Sequence, residues 1–148
     1  MLPREARPRS ADLALMLTWE LPQTLLGLLV LGACRLGGAA LSGQWLRGRH
    51  CVRTQGVGVS LGAIVFWFAA ARGEPYDILR HELGHCVQSR LLGPAYLPLV
   101  GLPSILRAGY AWLYFLRHRR RWMRYRDGYP ERWADRLAPA AGPWLPEA

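Results

Sequence analysis

The sequence predicts an α+β fold: a single small domain built from a short sheet, a helix carrying paired histidines and a later acid-bearing helix, behind an apolar N-terminal helix. Three observations predict it. Val57, Val59, Leu61 and Ala63 alternate with Gly58, Ser60 and Gly62, the two-residue period of a strand. His81 and His85 stand four apart in a run bounded by Glu74-Pro75 before and Gly93-Pro94 after, the punctuation of a helix. Leu13 to Leu41 is apolar with few interruptions.

Composition narrows the class further. A chain of 148 residues that is 51% hydrophobic, with seven Trp, six Tyr and three Phe, has too much to bury to be disordered. Eleven prolines and the irregular glycine spacing exclude coiled coils and collagen-like repeats. The net charge of +9 comes wholly from arginine, since the chain has no lysine, and points weakly to any one partner. Cys34, Cys51 and Cys86 form no CxxC pair, so they read as small buried side chains, with neither a disulfide framework nor a zinc ribbon.

Residues 1–12 read as a loose basic tail, broken by prolines. Residues 13–42 read as one apolar, membrane-associated helix. Its cleanest part, Leu21 to Cys34, is shorter than the ~20 residues a bilayer core requires. Extension to Leu41 reaches spanning length, with Arg35 snorkelling to the interface. A buried core helix is the alternative, and Trp19, Glu20 and Pro22 argue against a signal peptide.

Residues 43–138 form the expected metal-binding domain. Gly43 to Arg53 is a loop or short strand, and Val57 to Phe68 a strand that ends fully buried. Arg72-Gly73-Glu74-Pro75 starts a helix over Tyr76 to Leu92, because proline in a first turn costs no hydrogen bond. Pro98 and Pro103 predict no continuous helix before Ser104, and a helix from Ser104 to about Tyr125 follows. Asp127-Gly128-Tyr129-Pro130 ends it, a short helix covers Glu131 to Leu137, and residues 139–148 are a proline-rich tail.

The chemistry concentrates in His81-Glu82-Leu83-Gly84-His85. Helical residues four apart share one face, so both imidazoles can reach one metal ion at ~2.0–2.1 Å. Glu82, beside the first histidine, can take a proton from water that the metal acidifies. A third ligand is required, and the extended HExxHxxGxxH pattern fails because Gln88 and Leu91 occupy its Gly and His positions. Glu131 is the candidate. Asp135 lies one turn further on the same face, where like charges repel; the conflict disappears if Glu131 binds a cation and Asp135 orients a ligand imidazole, or if Arg132 and Arg136 neutralise both on a solvated face. Gln88 and Ser89 are candidate polar contacts to substrate or to a loop, and Tyr96, Arg107, His118 and Tyr129 are candidate oxyanion donors.

HExxH followed by a later ExxxD helix resembles the glutamate-ligand zinc peptidases of the thermolysin-like, or gluzincin, type. More closely, the chain is similar to a group of small, largely uncharacterised bacterial membrane-associated HExGH proteins. Ser60-Leu61-Gly62, His81 to Ser89, Leu92 to Tyr96, Gly101, Pro103-Ser104 and Glu131 carry that resemblance, with Thr18 to Gly27 upstream. It implies a zincin-like, zinc-binding domain at a membrane and names no substrate. The second domain that walls the cleft in thermolysin-like enzymes is absent from this sequence.

Arg117 to Arg126 packs six arginines among His118, Trp122 and Tyr125. Beside an apolar segment, this run fits anionic membrane lipid on the cytoplasmic side of a bacterial inner membrane. A nucleic-acid patch and a merely solvated helix face are the weaker readings. The expected function is zinc-dependent hydrolysis of a peptide or protein substrate. His81, His85 and Glu131 would hold Zn2+, with Glu82 as base and then acid and Asp135 behind an imidazole. The rivals are an intramembrane metalloprotease and a non-catalytic protein stapled by its metal.

Overall fold

The structure is a computed structural model that describes residues 7–39, 41–56, 58–69 and 74–142. The first half of the expected tail, Val57, Arg72-Gly73 and residues 143–148 lie outside the described residues. The described residues form an α+β fold with a four-stranded sheet and five α-helices.

The apolar N-terminal stretch is two helices, not one: α1 (Ser10–Leu17) and α2 (Leu21–Leu36), bent by 89°. The chain turns because Glu20 is drawn into the core. Arg49 grips both of its carboxylate oxygens at 3.1 Å, while Arg90 donates at 3.1 Å and Ser89 at 2.7 Å. Pro22 then sits in the first turn of α2, where its missing N–H leaves no bond unmade.

Gly43 to Arg53 holds two strands, β1 (Ser42–Leu46) and β2 (Arg49–Arg53), joined at Arg47-Gly48. The single strand expected over Val57 to Phe68 is a hairpin: β3 (Val59–Leu61) and β4 (Ile64–Trp67). Gly62 makes the corner at φ +59°, a conformation L side chains rarely adopt. A β-carbon there would also lie 2.2 Å from Thr24 Oγ1, which accepts the Ala63 amide. Periodicity does not reveal this reversal, because the alternation continues straight through the turn.

The sheet order is β1-β2-β4-β3, with β2 and β4 parallel and both edges antiparallel. β4 is buried on both faces. Ile64 and Phe66, with Val52, pack under Leu31 of α2. Val65 and Trp67, with Leu46 and Cys51, pack under Leu79, Leu83 and Cys86 of α3 (Asp77–Leu92). Side chains of this size contribute about 1.5–3 kcal/mol each when withdrawn from water, so the sheet is held from two sides. The bend at Glu20 and this packing make α2 part of the fold's core.

After α3 the chain winds through a 3-10 turn (Gly93–Ala95) and a π-helical turn (Leu97–Gly101) into α4 (Leu102–His118). The helical run therefore begins before Ser104. Pro98 and Pro103 each stand in the first turn of a segment, where they disrupt no ladder. It ends at His118, seven residues short of Tyr125, as Arg119 turns left-handed at φ 56°. Arg117 and Arg121 would stand four apart on a continued helix, where like charges repel. A short 3-10 turn (Tyr125–Asp127) then leads to α5 (Glu131–Leu137), which packs on α3. Leu97 to His118 is long and apolar enough to cross a membrane, at mean hydropathy 1.3 over its most apolar window and 6% buried there.

Candidate metal centre

The helix α3 sets His81 and His85 on one face, and the position between them decides what can approach that face. Gly84 carries no β-carbon; one built there would lie 2.1 Å from the Ala134 carbonyl oxygen. The missing side chain lets α5 lie directly on the motif, which brings its first residue, Glu131, to both imidazoles. Glu131 Oε2 is 2.9 Å from His81 Nε2 and 3.2 Å from His85 Nε2. Ligand atoms at ~2.0–2.1 Å around a tetrahedral zinc stand roughly 3.4 Å apart, close to these separations. One ligand atom from each of the three residues lies within 4.8 Å of the others, and all three residues are buried.

Each candidate ligand is held from behind. Asp135 Oδ1 accepts from His81 Nδ1 at 2.6 Å. Gln88 Oε1 accepts from His85 Nδ1 at 2.7 Å, while its amide donates to the Pro130 carbonyl at 3.1 Å. Both histidines thus keep a proton on Nδ1, which leaves each Nε2 able to offer a lone pair to a cation. Ser104 Oγ, from α4, donates to the outer oxygen of Glu131 at 2.6 Å. Two imidazole nitrogens and a carboxylate oxygen, oriented in this way, can hold a metal ion.

The charge balance points the same way. Burial works to lower the His81 pKa, but hydrogen bonds to Asp135 and Glu131 outweigh it and hold His81 up at about 9. Burial pushes Glu131 and Asp135 upward, and their hydrogen bonds to the imidazoles more than reverse this, so both carboxyls are depressed. In the metal-free chain a proton therefore sits where a cation would. Glu82 differs: burial raises its pKa, and its Oε2 is a buried acceptor with no hydrogen-bond partner. Its other oxygen lies against Gly58, where a β-carbon would come within 2.8 Å.

The structure brings together His81, His85, Glu131, Asp135 and Gln88, with Glu82 buried next to His81 on the same helix, and places Arg107, His118 and Tyr129 elsewhere. Gln88 is fully buried and faces His85, so it orients a ligand and has no free edge for a substrate. Tyr96 is buried and donates to the Ser60 carbonyl at 3.2 Å; burial first, then the Glu82 charge, raises its pKa. Arg107 donates to the carbonyls of Arg124 and Tyr125 and stacks over Trp122. His118 is exposed and stacks on Tyr114, and Tyr129 reaches the Leu99 carbonyl. None of these last three points to the histidine pair.

Two residues near the centre went unread in sequence. Sequence names Ser104 only as a helix start and within a Pro-Ser motif, and Tyr125 only as a helix end and within the arginine run. Tyr125 is pushed up to about 12 by burial and by the Glu131 charge, with Ser104 as a hydrogen-bond partner. The π-helical turn, which sets the rotation of Ser104 toward Glu131, leaves no mark in residue periodicity. Comparison of the chain with protein-family models, with curated proteins and with solved structures finds no match.

Proposed function

We propose that the protein is a zinc-dependent, zincin-like hydrolase of peptide bonds that works at a membrane. One observation carries the reading: two imidazole nitrogens and a carboxylate oxygen converge beside a buried glutamate whose Oε2 has no partner. A zinc ion there supplies Lewis acidity, polarising a carbonyl and making water more acidic.

The chain's own residues divide the remaining work. His81, His85 and Glu131 would hold the ion, and Asp135 and Gln88 fix which imidazole nitrogen faces it. Glu82 Oε2 is the acceptor for a proton from water and the later donor to the leaving amine. Burial raises its pKa toward the range in which a carboxyl can do both. Gly58 and the surrounding core exclude bulk water from one side of that carboxyl. Zinc suits this nitrogen and oxygen donor set, whereas magnesium and calcium prefer all-oxygen sites.

The burial of all three ligands favours a second reading, in which the metal only staples α5 to α3, since structural sites are closed and catalytic ones keep an open position. Glu82→Gln separates the two. A hydrolase variant keeps its zinc and its melting temperature but loses at least ~100-fold in peptide turnover. Unchanged turnover would assign the site to structure alone. The membrane part of the reading is supported by the Leu97–His118 helix and the arginines after it. An intramembrane protease is disfavoured, because the motif helix carries Asp77, Arg80 and Arg90.

A further inference from the structure

The helix α4 is inside out. The stripe it turns toward the protein is Ser104, Arg107, Ala111 and Tyr114, continued from the buried Val100. The opposite stripe is Leu102, Ile105, Leu106, Trp112, Leu113 and Leu116, each 42–67% exposed. In water this is the reverse of what a surface helix does. α2 shares the pattern in part, burying Gln23 and Thr24 beside Leu31 while Leu25, Leu28 and Leu29 face outward.

Length and hydropathy make Leu97–His118 a candidate bilayer crossing, but its attachments do not allow one. Immediately before it, Tyr96 donates to Ser60 in β3 and Gly93 accepts from Gln23 in α2. Soon after it, Arg126 pairs with Asp77 at 2.8 Å, Pro130 accepts from Gln88, and Glu131 and Asp135 reach His81. Both flanks thus belong to one rigid body, whereas a single crossing would place them on opposite sides of a membrane. The returning chain also runs back beside the helix: Trp122 packs on Tyr110 at 4.7 Å, and Arg107 bonds the carbonyls of Arg124 and Tyr125. An irregular, arginine-rich segment of that kind is not tolerated facing hydrocarbon, and neither is the edge strand β1.

We infer that α4 lies in the plane of one leaflet of an anionic membrane, bound to its surface and not crossing it. The leucine, isoleucine and tryptophan stripe enters the acyl boundary, as interfacial helices do. At the end of the helix Arg117, Arg119, Arg120 and Arg121 are exposed and, among the described residues, have no carboxylate partner, so they are available to lipid phosphates. The charge sign selects an anionic leaflet over a second copy of this +9 chain, whose arginines would face their own kind. The inference deepens the membrane part of the proposed function and does not depend on the hydrolase chemistry.

The test uses purified full-length protein added to sealed vesicles of phosphatidylcholine with about a quarter phosphatidylglycerol, a charge density that attracts basic segments. Single cysteines are placed in a Cys34→Ser background at exposed positions on either side of α4, as Gln55→Cys and as Arg120→Cys. An impermeant maleimide should label both from outside without vesicle lysis. Labelling of Arg120→Cys only after lysis, with Gln55→Cys labelled at once, would mean that the helix crosses, and would overturn the inference. Co-sedimentation should fall by roughly tenfold or more in pure phosphatidylcholine, and again in the double variant Ile105→Asp/Leu113→Asp. Equal sedimentation in both lipids would overturn the choice of an anionic leaflet, and loss of self-association but not of vesicle binding in the double variant would assign the stripe to protein contacts. Absence of binding to any vesicle would also remove the membrane reading, while leaving metal content and Glu82-dependent turnover untouched.

Discussion

Gly84→Ala adds one methyl group at the point where α5 rests on α3. Its carbon would lie 2.1 Å from the Ala134 carbonyl oxygen and 2.8 Å from the carbonyl carbon. Ordinary contact needs more than 3 Å, so α5 has to retreat by roughly 1 Å. Overpacking of this kind costs about 1–3 kcal/mol, and the better helix propensity of alanine offsets about 1 kcal/mol of it. The net loss of stability is therefore small, about 0–2 kcal/mol, and the metal-free variant still folds. The effect at the site is larger, because Glu131 is the first residue of α5 and ligand positions tolerate only ~0.5 Å. Zinc affinity should fall at least ~100-fold, beyond the range seen when a residue behind a ligand is removed. Competition with a chromophoric chelator measures the affinity, and circular dichroism of the same sample checks the fold. Gly32→Ala, in α2, is the control, since nothing lies within 4 Å of a β-carbon there. Unchanged zinc affinity in Gly84→Ala, with the fold intact, would refute the claim that this glycine seats the third ligand.

Three further outcomes are expected. Asp135→Asn should weaken zinc binding by about 10–100-fold while leaving secondary structure unchanged, as read by the same chelator competition. Glu20→Ala should destabilise the protein by about 3–5 kcal/mol in urea unfolding, because it leaves the buried Arg49 guanidinium without its partner. Unfolding of the metal-free protein should depend on pH in both directions. His81 is raised from 6.5 to about 9, so its contribution is complete below 6.5 and is lost as pH climbs through about 9. Glu131 and Asp135 are depressed from 4.5 and 3.8, so their contributions hold above those values and vanish as pH falls. Glu82, raised from 4.5 by burial, adds to the loss as pH rises above that value, so urea midpoints in chelator should fall toward both acid and alkali, and a flat profile would contradict the charge assignment.

The site was legible in sequence where its logic is local. His81, Glu82 and His85 are fixed by helical spacing alone, and the repulsion between Glu131 and Asp135 on one turn pointed to a cation and an imidazole. The α3 and α5 helices came out within a residue of their observed bounds, because proline and glycine mark their ends. What was not legible depends on contacts between distant residues. Nothing near Glu20 announces that Arg49 and Arg90 will surround it, so it read as an interruption in an apolar helix. Gln88 read as a free polar side chain because its partners, His85 and the Pro130 carbonyl, meet only when α5 docks. The apolar content of α2 and α4 was visible, but which face each turns outward is set by the sheet and by α5.

The most direct measurement is the metal content of the purified full-length chain after zinc replenishment and removal of loose ions, compared with that of His81→Ala and Glu131→Gln. About one zinc per wild-type chain is expected, with little in either variant, as for a site of three protein ligands. Wild-type protein that is folded yet retains no zinc, or variants that retain as much as the wild type, would contradict the metal centre and the hydrolase built on it.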